Sequence, residues 1–350
     1  MAESIYIHLP FCKTKCPYCD FASFAGQESQ SMSDYTRALI NEIKWRMPIA
    51  SKNTNLKTIF FGGGTPSLQE PSDIALLLDV LKLYFNFDKD IEITLEANPG
   101  TINLDKLQKF INAGINRISI GVQTFDQELL MKLGRGHSLE DSFIAIEDIK
   151  KLDFKSWSFD LIYGLPGQTL ASWQDTLEKA ISFDPPHISA YALSIEPNTP
   201  YGKIYKDYSH ADLPQEDLLV EMYLLTNKLL KKANLERYEI SNWSKPSHQA
   251  KHNLCYWKAE SYYAFGLSAH GFVDSCRYFN TRDLHEYMML FQDSDVLNQA
   301  SKFNLEKVQE KIFIGEDENL EEKILLGLRL SPGLELFDSI KSKIDFSKID

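Results

Sequence analysis

Three of the chain's five cysteines stand within eight residues: Cys12, Cys16 and Cys19, in the stretch FCKTKCPYCDFASF at residues 11–24. Thiolates at C-x3-C-x2-C spacing on so short a loop can form three corners of one compact metal centre. A cubane [4Fe-4S] cluster ordinarily takes four cysteines, so three leave one iron with an open position where a ligand can bind and react. Spacing alone leaves two alternatives open, a zinc ion completed by His8 or Asp20, and three unconnected thiols. An odd cysteine count this concentrated fits a reducing compartment better than a disulfide framework.

Other segments carry chemistry-bearing residues in a regular arrangement. Three glycines in FFGGGTPS (60–67) let backbone N–H and C=O groups approach a ligand that any side chain would block. Polar motifs EANPG, VQTF and GLPGQT each follow a short run rich in β-branched and aromatic residues. Those runs, at 4–8, 57–61, 91–95, 117–121, 158–164 and 187–193, predict six strands. Amphipathic segments between them predict helices over Ser33–Trp45, Ser72–Tyr84, Leu104–Asn112, Asp126–Leu133 with Ser138–Lys151, and Leu170–Ser182. Strand and helix alternating six times specify a parallel sheet with crossover helices, whose ligands bind beyond the carboxyl ends of the strands. Past about residue 200 the text turns mostly helical. The expected organisation is a barrel domain over 1–240 and a smaller, mostly helical C-terminal domain over 241–350.

A net charge of −12 and the lack of a basic run exclude nucleic acid as a partner. The start MAESIYIHLP has no signal-peptide pattern and no stretch reaches the length of a membrane span, so the expectation is a soluble, cytoplasmic protein.

The C-x3-C-x2-C loop directly after the first strand resembles the signature of the radical S-adenosylmethionine superfamily. More narrowly, YIHLPFCKTKCPYCDF and motifs as far as LGLRLSPG resemble the oxygen-independent coproporphyrinogen III oxidase group. The resemblance implies an α/β fold, a partial (β/α)6 barrel, with Cys12, Cys16 and Cys19 on a [4Fe-4S] cluster. It also implies S-adenosylmethionine bound by Tyr6, Tyr18, Gly63, Gly64, Thr65, Glu96, Gln123, Arg135, Asp160 and Ala192. The residue types suit such a ligand, with a carboxylate for an ammonium or ribose hydroxyls, a guanidinium for a carboxylate, and an amide that donates and accepts.

The oxidases of that group carry a fourth cysteine two residues after the third, where this chain has Phe21. Relatives without it are the HemW-type heme chaperones, marked by H-N-x-x-Y-W, and HNLCYW stands at 252–257. That resemblance implies heme held by His252, beside the flat surfaces of Tyr256 and Trp257. Taken alone, the same motif also reads as a hydrogen-bonded core set. Cys255 and Cys276 read as small buried hydrophobes. His270, in GLSAHGF, reads either as a core residue or as lining the adenosine end of the cofactor. The functional expectation is a chaperone passing heme to acceptors such as respiratory cytochromes, with bacterioferritin as an acceptor or a donor. It leaves room for transient membrane association and a homodimer. The alternatives are oxidative decarboxylation of coproporphyrinogen III and radical chemistry on another substrate.

Overall fold

Alternation along the strands decides the architecture. In Ser4–Leu9 (β1), Ile5, Ile7 and Leu9 are buried on one face while Tyr6 and His8 point to the other. The same pattern recurs in Asn55–Gly63 (β2), Asn86–Ala97 (β3), Arg117–Gln123 (β4), Ser156–Tyr163 (β5) and His187–Ala192 (β6). The structure is a computed structural model that describes residues 1–48, 53–206, 210–292 and 302–333. These six strands pair in parallel in chain order. Helices Ser29–Arg46 (α1), Pro71–Tyr84 (α2), Leu104–Ala113 (α3), Gln127–Lys132 (α4), Leu139–Lys150 (α5) and Leu170–Ser182 (α6) lie between them in sequence. Their apolar residues, among them Leu39, Leu77, Phe110, Ile146 and Trp173, share one core with the strands' Ile59, Leu95, Ile118 and Phe159.

Local signals set most helix ends. Ser138 with Asp141 and Thr169 with Ser172 close capping boxes on α5 and α6, and Gly114 ends α3 in the left-handed conformation. Helix α1 begins four residues before the expected Ser33, at Ser29, because nothing in SQSM stops a helix.

The sheet runs past the expected boundary at 240. Residues Glu236–Arg237 (β7), Asn242–Ser244 (β8) and Tyr263–Phe265 (β9) extend it to nine strands, in the order β9-β1-β2-β3-β4-β5-β6-β8-β7. β9 is parallel to β1, with Ile7 opposite Phe265, whereas β8 is antiparallel to β6. The C-terminal part is therefore mixed. Besides helix Lys251–Trp257 (α9), which follows Pro200–Ile204 (α7) and Glu216–Lys232 (α8), it holds a second sheet of His270–Val273 (β10), Cys276–Phe279 (β11) and Glu310–Phe313 (β12). Helices Leu284–Leu290 (α10) and Glu316–Gly327 (α11) complete it, and the segment beyond 333 lies outside the described residues. No described helix is long and apolar enough to cross a membrane.

One buried ion pair ties the two parts together. The Arg46 guanidinium, with no exposed side-chain surface, donates to Glu42 Oε1 (2.7 Å), Asn280 Oδ1 (2.9 Å) and the carbonyls of Asn304 (3.1 Å) and Lys307 (3.3 Å). Glu42 accepts in addition from Gly266 N, Tyr287 OH and Asn280 Nδ2, each at 2.7 Å. Full satisfaction on both sides is what makes such a pair tolerable in a core. Arg46→Met, which strands the Glu42 carboxylate, is expected to cost about 3–5 kcal/mol, read from urea unfolding. Adding Glu42→Gln should recover part of that loss.

Candidate cluster and cofactor site

The cysteine loop is pinned to the rim of the sheet before any ligand enters. Leaving β1, residues Phe11–Cys12 pair in parallel with Phe24–Ala25, and Phe24 N donates to Pro10 O at 2.7 Å. Cys19 N closes a turn on Cys16 O at 3.1 Å. The end of β2 grips the loop from the other side, Gly64 N on Leu9 O (2.9 Å) and Thr65 N on Phe11 O (2.7 Å). A Cβ at Gly64 would lie 2.7–2.8 Å from backbone atoms of Pro10 and Phe11. Gly63 has φ +113°, and a Cβ there would fall within 2.5 Å of the His8 ring. The glycines are thus demanded by the protein's own backbone, in addition to any ligand.

Cys12, Cys16 and Cys19 line one cavity of about 830 Å³ at the carboxyl ends of the strands. Thr65 Oγ1 reaches Cys12 Sγ at 3.5 Å, and Arg135 Nη1 lies 3.8 Å from Cys16 Sγ and 3.3 Å from Tyr18 OH. Arg135 is held by the Gly121 carbonyl (2.9 Å) and by Asn98. A side chain at 121 would collide with Arg135, Asn98 and Gln123 at 2.7–2.8 Å, so glycine there lets the three converge. Gln123 enters the cavity because β4 carries one extra residue against β5 between Ile120 and Gln123. That bulge leaves Gln123 with φ 69°.

Burial, followed by the neighbouring Cys16 and Cys12 thiols, pushes the Cys19 thiol up. A cation beside Cys16 and a hydroxyl beside Cys12 are what deprotonated thiolates on iron require. Among the described residues no three His, Cys, Asp or Glu side chains converge on a single ion. In a cubane each cysteine binds a different iron, so the three need not converge on one ion. His8 is unavailable in any case: Nε2 donates to Ala22 O (2.8 Å) and Nδ1 accepts from Tyr6 OH (3.0 Å). Burial lowers its pKa to about 4, which keeps it neutral. The residues present fit a [4Fe-4S] cluster.

Two carboxyls face each other across the cavity. Glu96 accepts from Gly63 N at 3.1 Å, and burial, with Asp160 adding, raises its pKa to about 8. Burial also raises Asp160, against hydrogen bonds from Ser119 (3.0 and 2.9 Å) and Ser189. Tyr18, Gly63, Gly64, Thr65, Gln123, Arg135 and Ala192 share this cavity with the two acids and the three cysteines. Tyr6 is not among the lining residues; its ring stacks on Phe60 and its OH donates to His8 Nδ1.

Sequence reading passes over Asn98, Arg117 and Asn253, which also line the cavity. Asn98 lies in EANPG and Asn253 in HNLCYW. Arg117, at the start of β4, is buried with Nε unbonded, and only its position gives it away.

His252 is not among the residues that line the cavity. It is fully buried, with Nδ1 at 2.7 Å from Thr58 Oγ1 and Nε2 at 2.8 Å from Tyr256 OH, and its ring stacks on Phe60. Burial lowers its pKa to about 3. Both ring nitrogens are hydrogen-bonded to hydroxyls, one as donor and the other as acceptor. Glu92 of β3 fixes the helix that carries it, accepting from the N–H groups of Lys251 and His252 at 3.0 Å each. The motif anchors α9 inside the barrel and presents Asn253 to the cavity.

The family model of the radical SAM superfamily matches residues 6–180. The protein from Bacillus subtilis called heme chaperone HemW is 36% identical over 334 residues, 95% of this chain and 84% of its own. That from Haemophilus influenzae, of the same name, is 42% identical over 271 residues, 77% and 70%. The chain is a radical SAM protein of the HemW family. The fold of this family member is also that of coproporphyrinogen III oxidase (HemN) from Escherichia coli, with a TM-score of 0.80, 23% identity, and coverage of 97% and 78%.

Membership in the radical SAM superfamily implies a [4Fe-4S] cluster and S-adenosylmethionine. Gly64→Ala should cut iron and sulfide bound per chain on anaerobic reconstitution, because Cβ drives the rim and the cysteine loop apart; wild-type content would show that the close approach is dispensable. Folding raises Glu96 from an ordinary 4.5 to about 8. The unfolded chain therefore binds fewer protons between those values, and this group withdraws stability from the cluster-free fold as pH rises through them. Glu96→Gln should flatten the decline in Tm between about pH 6 and about pH 8; parallel profiles would place the proton elsewhere.

Proposed function

We propose that this chain is a heme chaperone, which binds heme and delivers it to heme-dependent proteins such as respiratory cytochromes, with bacterioferritin as a donor. The observation that carries the reading is likeness along 95% of the chain to a relative named for that activity. Phe21 agrees with it. Where the oxidase pattern has a fourth cysteine, this side chain is 65% exposed at the cavity's mouth and offers an apolar surface in place of a thiol.

In this reading Cys12, Cys16 and Cys19 hold the cluster, and Arg135 and Thr65 tune its sulfurs. The cavity walls from Gly63 to Ala192 hold S-adenosylmethionine. When bound, the pair supplies one-electron reduction and radical chemistry. Glu96, neutral at pH 7, offers a donor hydrogen; Asp160, opposite, is held by two serine hydroxyls. Transient contact with membrane-bound acceptors and a homodimer are compatible with this role.

The second reading, coproporphyrinogen III oxidation, is favoured by the shared fold and by the resemblance of the cofactor motifs to that group. One anaerobic experiment separates them. Reconstituted protein with S-adenosylmethionine, reductant and coproporphyrinogen III is expected to yield no protoporphyrinogen, while the same preparation takes up about one heme per chain. Turnover of the porphyrinogen without heme uptake would reverse the assignment.

A further inference from the structure

Two arginines line the cavity, and only one of them is fully engaged. Arg135 lies among the cysteines, touching Cys16 and Tyr18 and held by Asn98 and the Gly121 carbonyl. Arg117 stands four residues before Gly121 on β4, about 13 Å further from the rim at the rise of an extended strand. It is 4% exposed and shares its inward face with Ser119, two residues on. Among the described residues its side chain makes one hydrogen bond, from Nη2 to Ser158 Oγ at 3.4 Å, and no ion pair, and Nε has no partner. A buried guanidinium with its donors unspent is costly until an anion comes to it.

The acid on the neighbouring strand does not fill that place. Asp160 accepts from Ser119 Oγ (3.0 and 2.9 Å) and from Ser189, and Ser119 Oγ lies 2.8 Å from Ser158 Oγ. Two hydroxyls thus link Arg117 to Asp160 in place of a direct ion pair. The unspent donors of Arg117 match a carboxylate, the anion a guanidinium binds through two parallel hydrogen bonds. S-adenosylmethionine carries one carboxylate, and Arg135, near the cysteines, suits it. A second arginine at the far end of the cavity calls for a carboxylate from a second ligand, and both readings of the function involve a tetrapyrrole with propionate arms. We propose that the floor of the cavity is a carboxylate subsite in which Arg117 binds a tetrapyrrole propionate, from heme in the first reading or from a coproporphyrin-type macrocycle in the second. The inference rests on tetrapyrrole binding, common to both readings, and deepens it.

The test is an anaerobic titration of full-length, cluster-reconstituted protein, followed by porphyrin absorbance. Its probes are hemin, hemin dimethyl ester, coproporphyrin III and coproporphyrin III tetramethyl ester. Esterification removes the carboxylate charge and leaves the macrocycle. The wild type should bind the acid at least about tenfold more tightly than its ester, the scale of a hydrogen bond to a charged group. In Arg117→Met that contrast should vanish, and Arg117→Lys, which keeps the charge and loses the fork, should retain part of it. Equal binding of acid and ester by the wild type would overturn the subsite whether or not the variants fold. So would an undiminished contrast in Arg117→Met of wild-type circular dichroism. A loss confined to S-adenosylmethionine affinity would hand this arginine to the cofactor and overturn it too. Coproporphyrin III bound with the contrast, and no hemin uptake, would keep the subsite and remove the heme-chaperone reading. Hemin uptake without any contrast would do the reverse, and uptake of neither would overturn both.

Discussion

Everything at the active edge hangs on the approach of one backbone to another, where Gly63 and Gly64 at the end of β2 press against His8, Pro10 and Phe11. Two hydrogen bonds, Gly64 N to Leu9 O and Thr65 N to Phe11 O, each worth about 1 kcal/mol, hold a loop that has little core of its own. They set where Cys12 begins, and with it the other two cysteines. Thr65 is carried to the Cys12 sulfur by the same contact, and Gly63 N to Glu96. A glycine tract that reads as an invitation to a ligand is first a condition for closing the rim.

A second constraint is charge in the interior. Glu96, Asp160, Arg117 and Arg135 all face a cavity enclosed by apolar strands, and the chain meets the cost in different ways. Arg135 is spread over a carbonyl, an amide, a phenol and a thiol. Asp160 leans on serine hydroxyls, and Glu96 keeps its proton. These arrangements leave the walls polar without fixed ion pairs, which suits a zwitterionic ligand that brings its own charges.

Much of this is legible in the sequence, because the signals are local. The six parallel strands follow from alternation, and the cysteines and cavity residues sit in motifs at strand ends. What escapes is long-range. β8 and β9 are three residues each, too short to show a period, and they join the sheet only because β6 and β1 have free edges. The HNLCYW motif is visible, but which way its histidine faces depends on Thr58, Phe60 and Glu92, more than 150 residues earlier. His270 reads as either a core residue or a cofactor neighbour. Its exposure follows from where β9 stops, which composition does not encode.

The pairing of β9 with β1 also orders events during synthesis. β1 leaves the ribosome long before this partner, and its outer edge stays open until Tyr263–Phe265 emerge. Contacts this distant in sequence make assembly slow. The helix inside the barrel arrives almost as late, and the Glu42–Arg46 pair finds Asn304 and Lys307 later still. Until those late segments are in place the rim that carries the three thiols lacks its neighbouring strand.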